Sequence, residues 1–246
     1  MKLYISVASK MSKVRIAPEC AKEAALHVLA RLVHGFSQNN NTQSLKEYAK
    51  RKYGITLKHL RGTTIEVKPL ICVGKLEIEK VVLEFTSDTP PNKHMLMGVD
   101  PKTGGIYVYM EEQSHFFSDL LDRYNQKKAL DIFYVKTILN FVHEFEHVVQ
   151  QRFRVFAKKG EHPVYRDVEV GPYINGLYLE EVMPYIRSIA EGAVEGEPSE
   201  VLRNFIRNLA STNDYLIGLK KHNPKAFKYG VRLLYLRGQT LLEKLI

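Results

Sequence analysis

Between residues 127 and 154 the chain carries no Gly or Pro, and its apolar positions recur at the spacing of one helix face: Leu130, Phe133, Tyr134, Ile138, Phe141, Val142, Phe145, Val148 and Val149. The pattern predicts one long amphipathic helix. Its apolar stripe centres on Ile138, Phe141 and Phe145, and Lys136, Asn140, His143, His147 and Gln150 fall on the opposite, polar side. Upstream, the same periodicity predicts a helix over residues 18–36, opened by Pro18 and apolar at Ala21, Ala24, Ala25, Val28, Leu29 and Leu32, and a second over 44–53. The period then drops to two. Residues 63–67, 76–79 and 81–83 alternate and are rich in β-branched side chains, which predicts strands, with Gly74 and Lys75 as a turn; residues 105–110 read as a further strand after the Pro90-Pro91 loop.

Beyond the long helix, Lys158-Lys159-Gly160, Pro163, Gly171-Pro172 and Asn175-Gly176 punctuate residues 155–178 as a loop insertion. A helix is expected to start near Pro184. From Pro198 onward apolar positions at Leu202, Phe205, Ile206 and Leu209, then Tyr215, Leu216 and Leu219, then from Phe227 to Leu245, predict successive helices, the last started by Asn223-Pro224. The fold class expected is therefore α+β. An N-terminal lobe, residues 1–154, would hold a mixed sheet and end in the long helix; residues 155–246 would form a loop and a mainly helical lobe.

The candidate chemistry lies on the long helix. His143-Glu144-Phe145-Glu146-His147 spells H-E-x-x-H. Residues four apart on a helix share a face, so both imidazoles can reach one zinc ion, each nitrogen about 2.0–2.1 Å from it. Glu144, between them, is placed to act as a general base rather than as a ligand. The competing reading is a pair of histidines on a solvated helix face; the intervening glutamate and the helical register favour the metal. A catalytic zinc takes a third protein ligand and leaves a position open. Glu180, Glu181, Glu191, Glu195, His162 and Asp167 are the side chains of suitable chemistry downstream.

Composition narrows the class further. The chain has 246 residues, 45% hydrophobic, enough for a sizeable core as one domain or two lobes. No apolar run has the length of a signal peptide or a membrane span, so a cytoplasmic protein with no membrane partner is expected. Cys20 and Cys72 form no C-x-x-C pair and indicate neither a disulfide framework nor a cysteine-bound zinc. The net charge of +9 raises nucleic acid as a partner, although Lys50-Arg51-Lys52, Arg152, Arg154, Lys158-Lys159 and Lys220-Lys221 are scattered.

The motif helix, the segment Arg187-Ser188-Ile189-Ala190-Glu191-Gly192-Ala193-Val194-Glu195 and the order of sheet before helix together resemble the gluzincin type of zincin metallopeptidase. A metzincin is excluded, since Phe153 stands where its third histidine would be and Gln150 replaces its glycine. The resemblance implies a zincin-like fold and one Zn²⁺ per chain held by His143, His147 and Glu191. Glu191 comes from the E-G-x-A segment, Gly192 would allow close approach to the motif helix, and Glu195 would support a ligand from one turn further on. Glu144 would be the general base. The transition-state stabiliser would come from Tyr215, His222 or Tyr229, each equally readable as a packing or surface residue, and Gly105, Ile106, Tyr107 and Val108 would form the edge strand that pairs with an extended substrate, or an ordinary sheet strand. The function expected is zinc-dependent hydrolysis of a peptide or protein substrate. The alternatives are a basic nucleic-acid-associated protein and a zinc-binding effector with one specific protein target.

Overall fold

The computed structural model describes residues 18–36, 43–68, 71–73, 76–78, 80–92, 94–100, 102–152 and 167–246. The chain divides into two compact units, residues 1–153 and 154–246. Each has its own apolar core.

The first unit is α+β. Helix α1 (Pro18–Gly35) buries the apolar face its sequence predicts, with Ala24, Ala25, Val28 and Leu29 fully enclosed. Small alanines on that face let it lie against the long helix, its main neighbour. Helix α2 (Gln43–Tyr53) adds Leu45 and Ala49 to the same core and is followed by a 3-10 turn, Leu57–Leu60.

Four strands make a mixed sheet: β1 (Thr64–Val67), β4 (Val81–Thr86), β6 (Ile106–Tyr109) and β5 (Met97–Val99), in that spatial order. A separate antiparallel ribbon joins β2 (Ile71–Val73) to β3 (Leu76–Ile78); the expected turn at Gly74 and Lys75 lies outside the described residues. β6 pairs in parallel with β4, Leu83 opposite Ile106, and antiparallel with β5, Met97 opposite Val108. Both of its backbone edges are therefore engaged. The expectation that Gly105, Ile106, Tyr107 and Val108 form a substrate-pairing edge is corrected: Gly105 precedes the strand, and the next three residues sit mid-sheet. Among the described residues the edges are β1 and β5. The alternation of residues 106–109 specified a strand and carried no information on how many neighbours it would have.

Helix α3 (Met110–Arg123) starts directly from β6 and buries Phe117 and Leu120; the sequence reading had no element there. Buried Gln113 donates from Nε2 to the Leu96 carbonyl, 2.9 Å away, and so ties α3 to the chain leading into β5. Helix α4 (Gln126–Arg152) follows, with the Asn125 side chain accepting the Lys128 N–H at its start. Phe133, Phe141, Phe145 and Val149 are fully buried. Of the expected polar side Gln150 is buried, and Thr137 and Glu146 elsewhere on the helix are buried as well.

The second unit is helical. Residues 167–178, read from sequence as part of a loop, contain helix α5 (Asp167–Leu177) with Pro172 inside it. Val170, Ile174 and Leu177, spaced four and three apart, are buried in the unit's core, and that burial outweighs the propensity cost of Gly171, Pro172 and Gly176. A π-helical turn, Tyr178–Val182, leads into α6 (Met183–Ala190). Then come α7 (Pro198–Thr212), α8 (Asp214–His222) and α9 (Pro224–Leu245), started by Glu197, Asn213 and Asn223 side chains that accept backbone N–H groups. α9 is the central helix, touching α5, α6, α7 and α8. It does so through glycines: a Cβ on Gly230 would stand 2.7 Å from Ile174 Cδ1, and one on Gly238 would crowd Leu202 and Ile186. Among the described residues no helix is long and apolar enough to cross a membrane.

Candidate metal centre

His143 and His147 lie one turn apart on α4, both half-buried, with ring centroids 4.9 Å apart and planes at 73°. Their Nε2 atoms face each other at 3.2 Å. Two nitrogens bound tetrahedrally to one zinc stand about 3.3–3.4 Å apart, from bond lengths of about 2.0–2.1 Å. The pair therefore already has the separation that a shared ion requires. The tautomer agrees: His147 Nδ1 is 2.9 Å from Gln150 Oε1, an acceptor, so Nδ1 carries the proton and Nε2 presents its lone pair. Gln150 thus orients the His147 ring. Its i+3 spacing from His147 was visible; its burial was not.

Glu144 is half-buried on the same helix. Tyr109, at the end of β6, has its phenol pKa pushed up, first by burial and then by the charges of Tyr107, Glu144 and Asp88. Its hydroxyl therefore stays protonated at neutral pH within the field of Glu144. Nothing in the sequence singled Tyr109 out, because a strand tyrosine ordinarily reads as packing.

The downstream candidates have distinct settings within the helical unit. Glu191 is the exposed C-cap residue of α6, and Glu195 is exposed beyond it. The E-G-x-A segment forms a Schellman cap: the Gly192 N–H donates to the Ile189 carbonyl at 3.0 Å and the Ala193 N–H to the Ser188 carbonyl at 2.9 Å. Gly192 has φ 74° and no atom within 4 Å of where its Cβ would be. Left-handed backbone accounts for glycine at this position of the cap. The helical register from Glu191 to Glu195 is corrected, since the helix ends at Ala190.

Glu180 and Glu181 are exposed on the π-helical turn. His162 and the side chain of Asp167 lie outside the described residues. Glu169, on the first turn of α5, is only 8% exposed and is the buried carboxylate of this unit among the described residues. Sequence reasoning passed over it, although it drew His162 and Asp167 from the same stretch, because burial is not visible in the order of residues.

Tyr215, on α8, is half-buried and stacks on Tyr173, centroids 4.2 Å apart at 14°. His222 is exposed in the last turn of α8, and Tyr229 is half-buried on α9. Of the basic residues, Lys52 is held 2.6 Å from Asp131 on α4, while Lys158 and Lys159 are outside the described residues. Comparisons with protein families, with curated proteins and with solved structures give no match for this chain.

Proposed function

We propose that this protein is a zinc-dependent hydrolase of the gluzincin type acting on peptide bonds, with His143 and His147 as ligands and Glu144 as general base. The observation that carries the reading is the convergence of the two Nε2 atoms at 3.2 Å, with the His147 tautomer set by Gln150. A bound zinc supplies a Lewis acid at neutral pH, lowering the pKa of water and polarising a carbonyl. Glu144 takes a proton from water and returns it to the leaving amine. Gln150 holds the His147 ring in its ligating orientation.

For the third ligand we propose Glu191, on the resemblance of its E-G-x-A segment to that of the gluzincins. Equilibrium dialysis of zinc against the single variants tests both levels. His143→Ala and His147→Ala should each empty the site, and full zinc occupancy in both would overturn the metal proposal. Glu191→Ala should weaken zinc strongly, while Glu180→Ala and Glu181→Ala leave it within about 3-fold of the parent. Parent-like affinity in Glu191→Ala would remove it from the third position.

A further inference from the structure

A second cluster of ligand-type side chains lies wholly in the first unit, away from the H-E-x-x-H motif. Glu23 and His27 are one turn apart on α1, and His59 comes from the 3-10 turn packed against that helix. His27 is 8% and His59 1% exposed. The two rings stand 5.0 Å apart at 74°, nearly the arrangement of His143 and His147. One atom from each of Glu23, His27 and His59 falls within 4.8 Å of the other two.

The proton positions make the cluster incomplete as it stands. His27 Nδ1 is 3.0 Å from the His59 carbonyl oxygen, which can only accept, so that nitrogen carries hydrogen. Its Nε2 lone pair then faces Glu23 Oε1 at 3.4 Å, two electron-rich atoms against each other. His59 Nε2 is buried and makes no hydrogen bond, with the same carboxylate oxygen 3.8 Å away. An unsatisfied buried polar atom costs about 1–3 kcal/mol. Protonation is a poor remedy, since burial is the largest influence on both rings and pushes both pKa values down.

We propose that Glu23, His27 and His59 form a second divalent-cation site, of a donor set suited to zinc, that pins the 3-10 turn to α1. Two imidazole nitrogens and one carboxylate are borderline-soft donors that zinc accepts, with water from the partly exposed Glu23 side in the fourth place. The His27 Nδ1–H to carbonyl bond is the outer support that ligating histidines use. Two cations flank the cluster. Arg31 is committed to the carbonyls of His59, Arg61 and Gly62, and so fixes the backbone that carries His59. Lys58, 64% exposed, lies 3.4 Å from Glu23 and competes for its carboxylate. Coordination at His59 Nε2 also requires its proton to sit on Nδ1, which now accepts the Thr56 N–H at 3.0 Å. Thr56 Oγ1, 3.3 Å from that nitrogen, can take the Nδ1–H while the exposed Thr56 gives its N–H to water.

The test uses the full-length His143→Ala/His147→Ala protein, so that the motif pair cannot contribute. Titrated with zinc, it should bind one ion, show a raised melting temperature, and give a tetrahedral visible spectrum with cobalt(II). Adding Glu23→Gln or His27→Gln should weaken zinc at least about 10-fold and remove the thermal shift. Adding Lys58→Ala should strengthen zinc binding, a gain that misfolding cannot imitate. The proposal is overturned if the double variant binds no zinc, or binds it equally well with Glu23→Gln in place. Either result would leave the reading of His143 and His147 untouched.

Discussion

Glu144 sits between two histidines whose Nε2 atoms converge at 3.2 Å, so its carboxylate can be removed as a base without touching a ligand. Glu144→Gln should keep zinc bound at the parent's stoichiometry and lower peptide hydrolysis by at least about 100-fold, the contribution typical of a general base. Parent-like cleavage of a susceptible peptide by this variant would exclude Glu144 from the chemistry. Gln150 acts one step further out. Its Oε1 accepts the His147 Nδ1–H at 2.9 Å, so Gln150→Ala frees the ring to rotate and should weaken zinc about 10–100-fold, with Gln150→Glu retaining most of the affinity. Competition against a chelator of known strength measures both. At this scale the motif could be read directly from the order of residues, because i and i+4 are neighbours on any helix. Gln150, Tyr109 and Glu169 could not, since what distinguishes them is burial and the groups that chain folding brings near.

Among the elements, α4 is held to α2 by a polar clasp that hydrophobic periodicity does not reveal. Asp131 accepts hydrogen bonds from Tyr48 at 3.0 Å, from Lys52 at 2.6 Å and from Tyr53. Burial pushes the Asp131 pKa up, but the bonds from Lys52, Tyr53 and Tyr48 outweigh it and hold the carboxyl below its ordinary value. A depressed carboxylate stabilises the fold above its unfolded pKa of about 3.9 and loses that contribution as pH falls through the folded value. Asp131→Asn should therefore cost about 1 kcal/mol at pH 7, discounted for partial exposure, and progressively less below about pH 4. Chemical denaturation across that range measures it; an equal loss at pH 7 and below the folded pKa would rule the ion pair out. Helices α1, α2, α4, α7 and α8 were legible from apolar periodicity, and α9 from its Asn223-Pro224 start as well. α5 was not, because local propensity at Pro172 and the flanking glycines opposed a helix that the packing of Val170, Ile174 and Leu177 enforces.

For the whole molecule, a ligand that binds only the folded chain stabilises it by mass action, about 2.7 kcal/mol at a hundredfold excess over the dissociation constant. Zinc at such an excess should raise the melting temperature by about 5–10 °C over protein treated with a chelator, scaling at roughly 2–4 °C per kcal/mol for a chain of this size. Calorimetry should show the shift abolished when His143→Ala, His147→Ala and Glu23→Gln are combined. A full shift in that combined variant would place the stabilising ion elsewhere.

The sequence by itself determined the composition of the parts. A strand-rich stretch followed by long helices is an α+β chain whatever its packing, since side-chain period follows backbone geometry, and H-E-x-x-H on a helix aligns two imidazoles through that helix alone. Tertiary structure decided everything that depends on a second element. It put β6 in the interior of its sheet rather than at an edge, made Gly192 a left-handed helix cap and turned a supposed loop into α5. It also brought His59 to within 5.0 Å of His27, ring to ring, across 32 residues of chain. The physical reason is common to all of these. Strand neighbours, burial and long-range ligand sets are set by how much apolar area the whole chain can bury at once, and that balance is not carried by any local stretch of residues.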